Sequence, residues 1–272
     1  MYADDTNLFL EAKDLNNFNT LVNSELFNLS QWCFKNKLTV NLDKTNYIVI
    51  KNWQNRFIFN DNVLTLDKKL LPRVQTIKFL GIYIDEHLNF STHIQHLRST
   101  LRPSIGILYR ASQYLPQYVL KLVYNSFIHS KINYCLEVYG TAPKTSIEYI
   151  HKMQKRAIRI INQGHYLSHT APLFKKSCIL PVYSLYQYRV LLRTHANFQL
   201  PSSTSNTTIT TPHPYPTRFS ATNLPLPPSR SRSGHRSPDY QSATLWNGLP
   251  SSLKCLSKHS KFRSSLKRHL LG

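Results

Sequence analysis

The hydrophobic positions of this chain change period part-way along it, from short alternating runs to long helical stripes. Thr6 to Ala12 reads as a short strand, the second arm of a hairpin whose tip would be Ala3-Asp4-Asp5. Asp14 suits an N-cap, and Leu15, Phe18, Leu21, Val22, Leu26, Leu29 and Cys33 then recur on one face, predicting a helix to about Asn36. A loop follows from Asn36 to Asp43. Tyr47-Ile48-Val49-Ile50 is β-branched and aromatic, so it predicts a strand. Phe57 to Phe59 and Val63 to Leu66 flank Asn60-Asp61-Asn62 and predict a second hairpin, with Thr76 to Asp85 as one further strand.

From Asn89 the spacing becomes three and four. Ile94, Leu97, Leu101, Ile105 and Leu108 predict a helix that Pro103 should kink or break, because proline lacks the N–H and its ring crowds the preceding turn. A second helix is expected from Pro116 to about Ser130. A third, from Ser146 to Asn162, carries Ile147, Ile150, Met153, Ala157 and Ile161 on one face. Lys152, Lys155, Arg156 and Arg159 fall opposite, within about a quarter of the helix circumference. Val182 to Gln199 predicts a fourth. Residues 200–238 are dominated by Ser, Thr and Pro and read as a disordered linker. Beyond it Leu245, Trp246, Leu249, Leu253, Phe262, Leu266 and Leu270 return among basic side chains, a small helical module. The organisation expected is therefore α+β, with segments 1–86, 87–199, 200–238 and 239–272.

Charge sharpens this division. The chain has 34 Lys and Arg against 13 Asp and Glu, a net charge of +21 over 272 residues. Residues 1–148 account for +4 of it, whereas residues 149–272 hold 18 basic side chains and the single acid Asp239. A field of that sign favours polyanions, nucleic acid above all, without sequence selectivity. No apolar run of about 18 residues is present, and acids stand where a signal peptide would be basic, so no membrane span and no secretion are expected. An intracellular setting, nucleus or cytoplasm, follows. Cys33, Cys135, Cys178 and Cys255 form no Cys-x-x-Cys pair, and neither His93/His96 nor His165/His169 has a neighbouring ligand to complete a zinc site. Phosphate-binding glycine loops are absent too.

The candidate chemistry sits at the start, in Tyr2-Ala3-Asp4-Asp5. Adjacent carboxylates repel and are costly to bury together, and a divalent cation relieves both problems. Mg²⁺, or Mn²⁺ in its place, takes one or two carboxylates and completes its shell with water and substrate phosphates. The alternative is an ordinary turn, where Asp is common. For the basic face of the third helix, the two readings are a platform for backbone phosphates and a merely solvated surface.

Order and spacing extend the pattern. Tyr2-Ala3-Asp4-Asp5-Thr6, Trp32 near a helix end, Leu38-Thr39-Val40-Asn41-Leu42-Asp43-Lys44-Thr45 and Phe79-Leu80-Gly81-Ile82-Tyr83-Ile84-Asp85 together resemble the reverse transcriptases of LINE-type, non-LTR retrotransposons. The tail Ala243-Thr244-Leu245-Trp246-Asn247-Gly248-Leu249-Pro250 is similar to the C-terminal end of elements of the jockey and related groups.

That resemblance implies the C-terminal part of a polymerase palm followed by a helical thumb. It implies Asp4 as a metal ligand with Asp5 beside it as a second catalytic carboxylate, and Tyr2 and Ala3 near the primer end. It makes Lys44 a candidate proton donor to the leaving pyrophosphate, or else a plain loop lysine. Phe79, Leu80 and Gly81 match a primer grip, and RNA template and DNA primer become the expected partners. The resemblance also places the fingers and a strand with the third catalytic Asp before the Asp pair. On that ground the chain alone is expected not to polymerise, and a non-enzymatic nucleic-acid-binding piece is the alternative.

Overall fold

The computed structural model describes residues 6–11, 18–50, 64–66, 69–199, 223–229 and 231–272. The chain divides at Leu88 into two units, Met1–Leu88 and Asn89–Gly272.

In the first unit, helix α1 (Phe18–Lys35) buries Val22 and Leu26 against Leu64, Leu66 and Leu71. Its apolar stripe is narrower than the sequence suggests: Leu21, expected inside, is exposed. Strands β1 (Thr65–Leu66) and β2 (Lys69–Leu70) pair antiparallel, and Asn23 of α1 accepts a hydrogen bond from the Thr65 backbone N–H at 3.1 Å. The hairpin therefore pairs Leu66 with Lys69; the expected partner strand, residues 57–59, lies outside the described residues.

Two expected strands are corrected. Residues 6–11 form no ladder with any described residue. Tyr47 makes only an isolated parallel bridge to Arg73, and Ile48 to Ile50 are not in a strand. The bridge consists of Tyr47 N donating to Pro72 O at 3.2 Å and Val74 N donating to Tyr47 O at 2.9 Å, and no ladder extends from it.

The single strand expected over Thr76–Asp85 is instead a hairpin of β3 (Thr76–Phe79) and β4 (Ile82–Asp85), with Phe79 paired to Ile82. Leu80 and Gly81 form its two-residue tip at φ 45° and 82°. Positive φ at both positions is the signature of a type I′ turn, whose twist matches the flanking strands.

The second unit is helical. Helix α2 (Ser91–Ala111) runs through Pro103 unbroken and buries Ile94, Leu97, Leu101, Ile105 and Leu108. The break expected at Pro103 does not occur: the apolar stripe is buried on both sides of it, and next to the Ser99 carbonyl that the proline leaves without a helical donor, Lys131 Nζ and Ser104 Oγ donate to Thr100 O at 3.2 and 3.1 Å and brace the turn. Helix α3 (Gln117–Tyr124) passes into a π-helical turn (Asn125–His129) and then α4 (Ser130–Asn133), so one continuous helix covers the expected segment and exceeds it by a few residues. A short α5 (Leu136–Tyr139) leads to α6 (Lys144–Ile161), which packs along α2.

Gln154 lies at the centre of this packing, fully buried. Its amide donates to Tyr124 Oη at 3.0 Å and to Leu180 O at 2.9 Å, and its carbonyl accepts from Val182 N at 2.9 Å. One side chain thus ties α6 to α3 and to the link between α7 (Ala171–Ser177) and α8 (Val182–Gln199). Helices α9 (Arg232–His235), α10 (Pro238–Asn247), α11 (Ser251–Lys254) and α12 (His259–Leu271) complete the chain. Trp246, Leu253, Phe262 and Leu266 form a core with Leu191 of α8. Of the stretch expected as linker, residues 200–222 lie outside the described residues. Leu224 is buried, and its backbone N–H and C=O both bond the Asn247 side chain, at 2.8 and 2.9 Å.

Candidate nucleic-acid interface

Tyr2, Ala3, Asp4 and Asp5 lie outside the described residues. Phe9, four positions beyond Asp5, packs edge-on against Phe79 with ring centroids 6.2 Å apart. The stretch after the carboxylate pair therefore reaches the β3–β4 hairpin beside its tip. Leu80 and Gly81, at its tip, are both exposed. Close approach of another strand to this tip meets little side-chain bulk at Gly81.

Lys44 is exposed in a turn closed by its own backbone N–H, which reaches Asn41 O at 3.2 Å. Its neighbour Asp43 pairs with Lys69 at 2.6 Å, and that hydrogen-bonded ammonium holds the carboxyl below its ordinary pKa.

The donor set at the start of the chain, two carboxylates on successive residues, offers only hard oxygen ligands, which suits Mg²⁺ or Mn²⁺. Among the described residues, no three His, Cys, Asp or Glu side chains gather in a way that could hold a metal ion.

The basic face of α6 forms as the spacing predicts. Ile147, Ile150, Ala157 and Ile161 are buried, while Lys152 and Arg156 are exposed and Lys155 and Arg159 partly so. Arg159 is steadied by a 3.0 Å hydrogen bond from its Nε to Ser168 O. Lys155 also borders a shallow cleft of about 380 Å³ with His151, Phe174 and Tyr183. The His151 ring lies 5.2 Å from Tyr183, and burial together with the charge of Lys155 holds its pKa below the usual histidine value.

Charge divides where the fold divides. Residues 1–88 hold ten basic and ten acidic side chains, so residues 89–272 carry the whole +21. Only three acids belong to the second unit: Glu137, Glu148 and Asp239. Glu137 is taken by Arg189 and Arg193 at 3.3 and 3.2 Å, and Glu148 accepts from Tyr183 Oη at 3.0 Å. Glu148 lies on α6 itself, one turn before Lys152, so the four α6 cations share a single carboxylate.

This chain is 26% identical over 167 residues to the RNA-directed DNA polymerase from mobile element jockey of Drosophila melanogaster, and 24% identical over 164 residues to its counterpart in Drosophila funebris. The chain is similar to retrotransposon reverse transcriptases. Each match covers 59% of the chain, which spans 18% of the length of either polymerase. No family model and no solved structure matches.

Sequence reasoning placed Met153 on the buried face of α6 and passed over Gln154, the residue that organises the unit. The signal was present: Ile147, Ile150, Gln154, Ala157 and Ile161 follow a strict three-four spacing. It was also silent on the side chains brought together by α3, the π-turn and α12, which no sequence spacing connects. No helix among the described residues is long and apolar enough to cross a membrane.

Proposed function

We propose that this chain is the palm-to-thumb part of a retrotransposon reverse transcriptase, with an Asp4-Asp5 metal site at its start and a second unit that holds the template–primer duplex. The observation that carries this reading is the similarity to two jockey polymerases over 59% of the chain. The concentration of all net positive charge in the second unit supports the duplex-holding half.

In this reading Asp4, with Asp5 beside it, would hold Mg²⁺ or Mn²⁺, and the ion would supply activation of a 3′-hydroxyl and charge neutralisation at phosphate. The protein's own residues do the rest. Tyr2 and Ala3 lie along the primer end, and the Phe79-Leu80-Gly81 tip presents its backbone to the primer strand. Lys44 offers a proton to pyrophosphate. Lys152, Lys155, Arg156 and Arg159 contact backbone phosphates, which fix position without reading sequence. The setting is intracellular, in nucleus or cytoplasm.

The reading further holds that the 272 residues alone bind an RNA–DNA hybrid without extending it, because a two-metal centre draws a third carboxylate from a separate strand. Two assays test this. In primer extension with Mg²⁺ or Mn²⁺, nucleotide incorporation by the purified chain refutes the inactivity. In a salt titration of hybrid binding, log affinity should fall linearly with log salt, and the Lys152→Glu/Arg156→Glu variant should lower the slope by about two. An affinity indifferent to salt rules out phosphate contact as the binding mode.

A further inference from the structure

The continuous helix formed by α3, the π-turn and α4 faces the C-terminal helix α12 across a cavity of about 200 Å³. Lys121 and His129 enter it from one wall and Arg263 and Lys267 from the other. The Cys178–Leu180 segment forms the floor, and no carboxylate is among the lining residues. These groups stand some 140 positions apart in sequence, so the cavity is a product of the fold.

Three observations bear on what it takes. First, the positive charge there lacks a counter-charge: of the unit's three acids, Glu137 and Glu148 are bonded elsewhere and Asp239 sits in the first turn of α10. Convergent cations repel, and an anion seated between them removes that cost. Second, His129 Nδ1 is buried with no hydrogen-bond partner among the described residues. Burial, then the charges of Lys267 and Arg189, hold this imidazole below its usual pKa. Third, Arg263 is oriented, its Nε donating to Tyr188 Oη at 3.3 Å.

Size narrows the ligand. Pockets for whole small molecules run to about 300–1,000 Å³. A cavity of about 200 Å³ suits one phosphate group with part of its sugar, rather than a complete nucleotide. The π-turn shapes the wall: the inserted residue widens the helix between Lys121 and His129, the kind of distortion that recurs at functional positions.

We propose that the Lys121, His129, Arg263 and Lys267 cavity binds a backbone phosphodiester of a nucleic-acid strand, a second anchoring point beyond the α6 stripe. The assignment rests on the nucleic-acid reading above and adds a site to it. It also makes the C-terminal helix a part of the binding surface, since Arg263 and Lys267 reach the cavity while Phe262 and Leu266 on the same helix hold the core.

Cys178 lines the cavity and Cys255 does not; both thiols are exposed, which gives an internal control. The full chain is labelled with iodoacetamide alone, with an RNA–DNA hybrid, and with inorganic phosphate, and hybrid affinity is measured against salt for wild type, Arg263→Glu/Lys267→Glu and Lys152→Glu/Arg156→Glu. The hybrid should slow labelling of Cys178 several-fold and leave Cys255 unchanged. The Arg263→Glu/Lys267→Glu variant should abolish that protection and lower the salt slope by one to two, about one for each phosphate left unneutralised. Both substituted side chains are exposed, so the variant keeps its core.

If the α6 variant weakens binding while the cavity variant changes neither slope nor protection, the second anchor is refuted and the wider reading stands. If wild type binds no hybrid, both fail. Protection of Cys178 by inorganic phosphate but not by hybrid overturns the assignment to a strand.

Discussion

Replacing Gln154 with Leu should destabilise the second unit by roughly 3 kcal/mol, and the structure gives the reasons. The substitution keeps volume and apolar packing but removes three hydrogen bonds, to Tyr124 Oη, Leu180 O and Val182 N, all 2.9–3.0 Å. Tyr124, Leu180 and Val182 are buried to within 3% of full burial. Each orphaned group costs about 1–3 kcal/mol, because water cannot replace the lost partner. The new apolar burial offsets about 1 kcal/mol of that sum. For a unit of this size the melting temperature should drop by about 6–12 °C. Burial pushes the Tyr124 phenol up to about 12, so its hydroxyl stays protonated throughout any practical titration and a mutant cycle through it is not confounded by ionisation. Urea unfolding supplies the free energies. In a double-mutant cycle with Tyr124→Phe, the double variant should be less unstable than the sum by about 0.5–1.5 kcal/mol, since one orphan disappears. Gln154→Glu gives a second check: its carboxyl, pushed up by burial, should let the variant regain stability as pH falls and the acid protonates. A Gln154→Leu variant within about 1 kcal/mol of wild type would mean that the three bonds do not hold these elements together.

Other consequences are as direct. Leu80 at φ 45° carries a left-handed cost of about 1–2 kcal/mol, and Asn is tolerated there before glycine, so Leu80→Asn should raise the stability of the first unit by up to about 1 kcal/mol in urea unfolding. If the same variant also loses hybrid affinity, the strain serves contact with a strand. Asn247→Ala should release residues 223–229, seen as faster limited proteolysis near Leu224 with little change in secondary structure by circular dichroism. His93, His129 and His151 all have pKa values lowered mainly by burial, so the unfolded chain takes up protons first; stability is whole above the ordinary histidine pKa near 6.5 and declines below it. The slope should reach at most about 1.4 kcal/mol per pH unit per histidine. His93→Leu should flatten it, and a pH-independent stability between about pH 7 and 5 counts against the assignment.

The helices of the second unit were legible in the sequence because each buries a stripe whose period is fixed by helix geometry. The extents of α8 and nearly of α6 follow from that period alone. Strands fared worse for an equally physical reason. A strand exists only with a partner in register, and Tyr47–Ile50 has β-forming residues but pairs at one position alone, Tyr47 with Arg73. Thr76–Asp85 reads as one apolar run, yet Gly81 carries the turn that folds it in two. Pro103 misled for the opposite reason: the long-range contact of Lys131 with Thr100 O and Ser104 Oγ, which braces α2 beside the proline, is invisible in the local sequence. Of the candidate site, the α6 stripe was legible because it lies on one helix. The α3–α12 cavity was not, because its cations come from separate helices.

The separation of charge links these observations. A unit carrying +21 repels itself, and self-repulsion works against compactness. Two of its three acids are bonded to local partners, at Arg189, Arg193 and Tyr183, leaving the α6 stripe with the single carboxylate of Glu148 and the α3–α12 cavity with none. Stability alone would favour acids interspersed along those faces, as the balanced charges of residues 1–88 illustrate. A fold that keeps them out must draw its cohesion from apolar packing and buried amides such as Gln154, and it relieves the electrostatic cost only when a polyanion is bound. The uncompensated charge is thus better explained by what the second unit holds than by how it folds.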